Sequence, residues 1–342
     1  MSAENRVVVI DFGSQYTQLI ARRIRESGVY SEIHPCHTDV GLIKEMNPGA
    51  IVLSGGPASV CSPESPGIDP VIFEWGVPIL GICYGMQLAA KIMGAEVHPA
   101  QNREYGRSEL EISEDCPLWK GLDPDEGLTV WMSHGDTVSS LPPGFSALAS
   151  TGDIQIAAMG NPEKKIYTLQ FHPEVAHTDQ GQKILDNFLF EVAALEPTWS
   201  MASYVDTVVK ELREKIGNDH VVCALSGGID STVTAALLHR AIGKRLHCIF
   251  VDNGVLRHGE GEEVVRYLRR HFDLNLKYVQ AQDSFLQKLH GVEDPEEKRK
   301  IIGHGFIEIF EKEALSIEGV KWLAQGTLYP DVIESVSFKG PS

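Results

Sequence analysis

The sequence predicts an α/β protein of two doubly wound domains, the first a mixed sheet with antiparallel additions and the second a parallel sheet. Short β-branched runs alternate with helix-patterned segments through both halves. The 342 residues, 43% of them hydrophobic, exceed what one domain of ~100–200 residues accounts for. A proline and polar break, EPTWS at 196–200, separates two strand–turn–helix beginnings.

In the first half the patterning predicts strands at 6–12, 29–34, 50–54 and 77–82, with helices near 14–26 and 84–93. From about 107 to 171 the pattern turns to strands with few helices between them: RSELEIS, LTVWMSH, FSALAS, IQIAAM and KIYTLQF. These read as an antiparallel addition to the doubly wound core. A helix over about 179–194 closes this unit. Beyond the break, a helix over about 202–216 leads into the strand HVVCALS, the loop GGID, a helix over 231–242 and the strand RLHCIFVD. The charged stretch EDPEEKRK at 293–300 reads as a solvated helix start or a mobile loop rather than a binding patch.

The balance of charge limits the partners. With 47 acidic against 30 basic residues and a net charge of −17, a broad nucleic-acid or anionic-membrane surface is not expected. An anionic ligand must then be held locally, by backbone N–H groups, a helix N-terminus or Mg²⁺. Cys36, Cys61, Cys83, Cys116, Cys223 and Cys248 form no CxxC pair, which fits a reducing compartment better than a zinc knuckle or disulfide framework. The strand-like VVVIDF follows the polar residues 1–6 at once, and no apolar run approaches membrane-spanning length. The expected location is the cytoplasm.

Two places carry chemistry. VPILGICYGMQLAAKIMG at 77–94 reads as a buried strand, a sharp turn and a helix, with Cys83 on the elbow between Gly81 and Gly85. Flanking glycines permit a strained turn and close substrate approach, and a helix N-terminus favours a thiolate; a buried structural cysteine is the plainer alternative. QFHPEV at 170–175 supplies a partner, since His172 and Glu174 are two residues apart at a strand end and the carboxylate can orient the imidazole. LSGGP at 53–57 follows an apolar strand, so its N–H groups could face an oxyanion.

The second place is Ser226-Gly227-Gly228-Ile229-Asp230-Ser231-Thr232, between an apolar strand and a helix. Glycines open the backbone, the helix start supplies N–H donors, and the hydroxyls of Ser226, Ser231 and Thr232 add to them, which makes a phosphate cradle. It is not a Walker A loop, because no Gly-Lys-Ser/Thr follows. Asp230 would hold Mg²⁺ or cap the helix. FVDNG at 250–254 ends the next strand, where topology would put an adenine and ribose pocket; Val251 is either a contact there or core packing.

GICYGMQ, LSGGP and QFHPEV, with this spacing, resemble the class I glutamine amidotransferases, whose cysteine attacks the side-chain amide of glutamine and releases ammonia. The resemblance implies Cys83 as nucleophile, His172 as base, Glu174 as its orienter, and the N–H groups of Gly56 and Tyr84 as the oxyanion hole. It implies Gln87, Ser133 and His134 as glutamine-pocket residues. SGGIDS similarly resembles the ATP pyrophosphatases, which split ATP between its α and β phosphates to form an adenylate.

The two modules in one chain, with DPEEKRKIIG and KWLAQGTLYPDVIES, resemble the glutamine-dependent GMP synthetases. That resemblance implies conversion of XMP, ATP, glutamine and water to GMP, AMP, pyrophosphate and glutamate, with ATP and Mg²⁺ at 226–232, Lys300 on a lid neutralising phosphate or simply solvated, and no prosthetic group. It implies domains at 1–196 (amidotransferase) and 202–342 (incomplete pyrophosphatase), a linker at 197–201, and a homodimer in full-length members. His304 stands where the family usually has arginine, which weakens a lid contact. The family continues beyond Ser342 with pyrophosphatase residues and a dimerisation domain that contributes to the XMP site, so this chain is expected to retain mainly glutaminase activity. Alternative readings are an amidating synthetase for another acceptor and a non-catalytic glutamine or nucleotide sensor.

Overall fold

The computed structural model describes residues 5–123 and 128–326, apart from the side chains of 101–103. Two compact units, Met1–Ser200 and Met201–Ser342, divide the chain.

The first unit runs β1 (Arg6–Asp11), α1 (Thr17–Glu26), β2 (Tyr30–Pro35), α2 (Val40–Glu45), β3 (Ala50–Leu53), β4 (Ile79–Ile82), α3 (Tyr84–Ile92), β5 (Val97–Glu109), β6 (Glu111–Ile112), β7 (Thr129–Val138), β8 (Ser146–Ser150), β9 (Ala158–Asn161), β10 (Ile166–Leu169) and α4 (Gly181–Asn187). Its main sheet has the order β2-β1-β3-β4-β10-β9-β8-β6. The unbroken apolar run of β1 follows from burial on both faces. Val7 and Val9 pack with Ile20 and Ile24 of α1 and with Ile184 of α4. Val8 and Ile10 pack with Ile43 of α2 and Met86 of α3 on the other face.

The strands expected to form an antiparallel addition divide in three. β10 is parallel to β4 and belongs to the central sheet. β9, β8 and β6 extend the edge in antiparallel pairs. β5 and β7 form a separate antiparallel ribbon. β5 begins at Val97, ten residues before the predicted start, because Pro99 and the polar residues after it show no apolar alternation; the ladder to β7, irregular between Pro99 and Glu104, supplies the order instead. The closing helix is shorter than predicted, α4 passing into a π-helical turn at Phe188–Val192.

The second unit runs α5 (Met201–Ile216), β11 (His220–Leu225), α6 (Ile229–Ile242), β12 (Leu246–Asp252), α7 (Glu260–His271), β13 (Asn275–Gln280), α8 (Gln282–Leu289), α9 (Pro295–Leu315) and β14 (Val320–Ala324). The strands pair in parallel in the order β13-β12-β11-β14. Val209 of α5, Leu238 of α6 and Leu268 of α7 cover one face, Phe285 of α8 and Phe310 of α9 the other. The charged stretch at 293–300 folds as the start of α9: Asp294 caps it, its carboxylate accepting from the Glu297 N–H at 2.8 Å, and Pro295 opens the first turn. Residues 327–342, including all of the TLYPDVIES segment and the chain end, lie outside the described residues. No helix among the described residues is long and apolar enough to cross a membrane.

Candidate active site

In the first unit the carboxyl ends of β1, β3, β4 and β10 meet where the strand order reverses, the usual place for a ligand crevice in an open α/β sheet. Ser54, fully buried, ties the ends of β1 and β3 to α3: its hydroxyl accepts from the Phe12 N–H at 3.1 Å and donates to the Gly55 carbonyl at 2.8 Å, while its own carbonyl accepts from the Gly85 N–H at 3.0 Å. Helix α3 approaches β3 so closely that a Cβ on Gly85 would lie 2.4 Å from the Leu53 carbonyl oxygen, so glycine is required there.

Cys83 stands between β4 and α3 with φ 50° and ψ −104°, a conformation L residues rarely adopt and one that costs on the order of 1–3 kcal/mol. Its N–H donates to the Leu169 carbonyl at 2.7 Å, and its thiol lies 3.4 Å from the Ser133 carbonyl. The imidazole of His172 has Nδ1 2.8 Å from Glu174 Oε1, and its ring and the Cys83 side chain both border Gly55. Both side chains are buried, and Glu174 Oε2 has no hydrogen-bond partner among the described residues. Burial disfavours the imidazolium, but the Glu174 charge and the hydrogen bonds to Cys83 and Glu174 outweigh it and raise the His172 pKa well above 6.5. The structure thus brings Cys83, His172 and Glu174 together in one row, with His172 hydrogen-bonded to Glu174 and its ring beside Cys83.

Gly55 adjoins both the His172 ring and the Cys83 side chain. The N–H groups of Gly56 and Tyr84 take no protein acceptor among the described residues, and Tyr84 is the first residue of α3, where helix N–H groups are free. The Tyr84 hydroxyl reaches the Pro66 carbonyl, and burial pushes its pKa up to about 12.

The three expected pocket residues differ in placement. Ser133 presents its carbonyl to Cys83. Gln87 is buried, its amide N–H₂ donating to the Asp136 carbonyl at 2.8 Å and to Gln170 Oε1 at 3.3 Å. His134, adjacent to Ser133 on β7 and so on the opposite face, pairs with Glu104 at 2.9 Å and with the Asp136 carbonyl at 3.0 Å. Sequence reading passed over Glu104 and the loop after β1, where the ring of Tyr16 meets that of His172 edge-on at 5.2 Å. Position at the carboxyl end of the first strand was the available signal.

In the second unit the 226–232 loop leaves β11 where the order reverses between β11 and β14. The Ser226 hydroxyl lies 3.0 Å from that of Ser231, and the Thr232 hydroxyl donates to the Gly228 carbonyl at 2.8 Å. Gly227 has φ +80°, and a Cβ there would come within 2.9 Å of Val264 Cγ2. Gly228 caps α6 without a side-chain bond, and the N–H groups of Ile229, Asp230 and Ser231 have no acceptor among the described residues. Residues 226–230 are exposed, so these N–H groups form an open backbone nest.

Val251 is 5% exposed and packs with Val222, Ile249 and Phe285, so its side chain belongs to the core. Lys300 and His304 are exposed on the regular helix α9. Asp230 is exposed at the start of α6. Among the described residues no three His, Cys, Asp or Glu side chains gather as a metal site. Among the described residues, Asp230 is the carboxylate on this loop that could assist a Mg²⁺ ion, whose shell phosphate oxygens and water would complete.

A family model described as glutamine amidotransferase class-I matches residues 8–192, and one described as phosphoadenosine phosphosulfate reductase domain matches residues 220–310. The glutamine-hydrolysing GMP synthases of Nitratidesulfovibrio vulgaris (strain DP4) and Maridesulfovibrio salexigens are each 60% identical over 342 residues, covering 100% of this chain and 66% of the relative. The chain thus spans just under two thirds of the length of these curated relatives. A solved glutamine amidotransferase from Thermotoga maritima aligns at 20% identity with a TM-score of 0.40, covering 78% of this chain and 97% of that one. With the first family model spanning residues 8–192, a segment that contains Cys83, His172 and Glu174, the chain belongs to the class-I glutamine amidotransferases.

Proposed function

We propose that the first unit hydrolyses glutamine and that the second activates XMP with ATP, the two together serving synthesis of GMP. The observation that supports the first half most directly is the row Glu174–His172–Cys83 beside two free N–H groups. His172 takes the thiol proton, and the Cys83 sulfur attacks the side-chain carbonyl carbon of glutamine. The N–H groups of Gly56 and Tyr84 receive the oxyanion. Collapse of the tetrahedral species, with the His172 proton passing to nitrogen, releases ammonia and leaves a thioester. Water, deprotonated by His172, then cleaves it to glutamate. Gln87 and His134 support this site from the buried side, holding α3 and β7, while Ser133 lines it.

For the second half, the support is the open nest at 226–232 together with the 60% identity to GMP synthases. The C2 oxygen of XMP attacks the α-phosphorus of ATP, and pyrophosphate leaves into the N–H groups of 229–231 and the hydroxyls of Ser226, Ser231 and Thr232. Ammonia then displaces AMP. Mg²⁺, when bound near Asp230, supplies neutralisation of phosphate charge. Lys300 adds a positive charge from α9. The setting is a reducing cytoplasm, and homodimers are the form proposed for full-length members. Glutamate release from glutamine, with Mg·ATP and pyrophosphate titrated separately by calorimetry, tests both halves: no glutamate removes the first, and no Mg·ATP or pyrophosphate binding removes the second.

A further inference from the structure

The geometry points to Thr178 as a positioning residue that fixes the peptide of the base His172 to the strand backing the nucleophile, an inference that rests on the roles proposed above for Cys83 and His172. Thr178 lies in the turn between β10 and α4 and is 6% exposed. Its hydroxyl donates to the His172 carbonyl at 2.6 Å and accepts from the Trp131 N–H at 3.0 Å. The Trp131 carbonyl in turn accepts from the His172 N–H at 3.0 Å. Both polar groups of the His172 peptide therefore end at Trp131, one directly and one through the threonine hydroxyl.

This arrangement matters because of what lies two residues farther along β7. Ser133 offers its carbonyl to the Cys83 thiol at 3.4 Å. Trp131 and Ser133 are i and i+2 on one strand, a fixed spacing. Base and nucleophile are thus measured from the same rigid element, although they come from β10 and β4 by sequence. His172 sits beyond the end of β10 at Leu169 and so gains no support from the parallel ladder to β4. The bonds through Trp131 and Thr178 replace it. Asp179 N–H to the Thr129 carbonyl, at 2.8 Å, keeps the threonine itself against β7.

Valine matches the shape of threonine but would leave the His172 carbonyl and the Trp131 N–H without that partner; serine keeps both bonds and lacks only the methyl. Misplacement of reacting groups by 1 Å can cost about 100-fold in rate. Thr178→Val and Thr178→Ala should therefore lower kcat for glutamine hydrolysis by about 10–100-fold with KM changed less than about 3-fold, while Thr178→Ser stays within about 3-fold of wild type. The decisive readout is the pH profile of Cys83 alkylation by iodoacetamide, which should be displaced in the valine and alanine variants and unchanged in the serine variant. A folded valine variant with wild-type kcat and alkylation profile would overturn the proposal. So would a serine variant that melts like wild type yet loses kcat by more than about 10-fold, a comparison that remains if valine and alanine do not fold. If wild type releases no glutamate but alkylation still separates valine from serine, glutamine as substrate is wrong and the role of Thr178 stands.

Discussion

Replacing Glu174 with glutamine removes one charge while keeping the side chain's shape, and the cost of that change can be worked from the geometry around His172. Nδ1 of His172 and Oε1 of Glu174 are 2.8 Å apart. Charge centres about 4 Å apart interact by about 4 kcal/mol at an effective dielectric constant near 20. Loss of that stabilisation as the imidazolium forms corresponds to about 10³ in kcat. Orientation adds to the effect. If the glutamine oxygen accepts from Nδ1–H, its N–H₂ occupies the buried place where Glu174 Oε2 has no partner among the described residues. If it is reversed, an amide N–H donates to Nδ1, the ring proton moves to Nε2, and the base faces Cys83 with no lone pair. A glutamate-release assay on Glu174→Gln, with circular dichroism to establish folding, should show kcat lowered by about 10²–10⁴. A folded variant within about 3-fold of wild type would refute the assignment. The pH dependence carries a sign. Because the folded His172 pKa is raised above 6.5, the pair's contribution to stability is full below the unfolded value and lost as pH rises through the folded one. The melting difference between wild type and Glu174→Gln should be largest below about pH 6.5 and narrow on the alkaline side.

The same geometry sets the outcome of three other substitutions. Cys83→Ala should abolish glutamate release and leave Mg·ATP binding unchanged by calorimetry, because thiol and nest belong to separate compact units. Gly227→Val should abolish Mg·ATP and pyrophosphate binding, since φ +80° strains any β-branched residue by about 1–2 kcal/mol and the new Cβ meets Val264; unchanged affinity in a folded variant would move the phosphates elsewhere. Gly85→Ala should destabilise the first unit by about 1–3 kcal/mol in urea melts, by pushing α3 off β3; a wild-type midpoint would contradict the close approach.

The parts most legible in sequence were those where local pattern and tertiary role coincide. The apolar run of β1, the glycines about Cys83 and the SGGIDS loop each announce a buried strand, an elbow or a nest, because sterics alone restrict what those residues can form. Helix α9 was half legible: Asp294, Pro295 and two glutamates are start signals, but its low exposure contrast leaves helix and loop alike. The extent of β5 was hidden, as was the parallel placement of β10. Both depend on which strand lies alongside, and neither Pro99 nor the four-residue run Ile166–Leu169 encodes a partner. The same limit applies to His134. Its place in WMSHGD suggested the pocket, whereas its partner Glu104 comes from a polar run thirty residues earlier. Thr178 was likewise unreadable, since its bonds join residues 47 and 6 positions away.

The glutaminase reading of the first unit depends on Cys83 being the nucleophile toward glutamine, and a glutamine analogue bearing an electrophilic diazoketone tests it directly. Burial pushes the thiols of Cys116 and Cys223 up to about 11 and that of Cys248 up to about 12, and it raises Cys36 as well. Cys61 is the exposed competitor. Peptide mass spectrometry after stoichiometric treatment should find the label on Cys83 alone, with labelling suppressed by excess glutamine and lost in His172→Ala. Label on Cys61 at an equal rate, or labelling of Cys83 indifferent to glutamine and to His172, would contradict that role for Cys83.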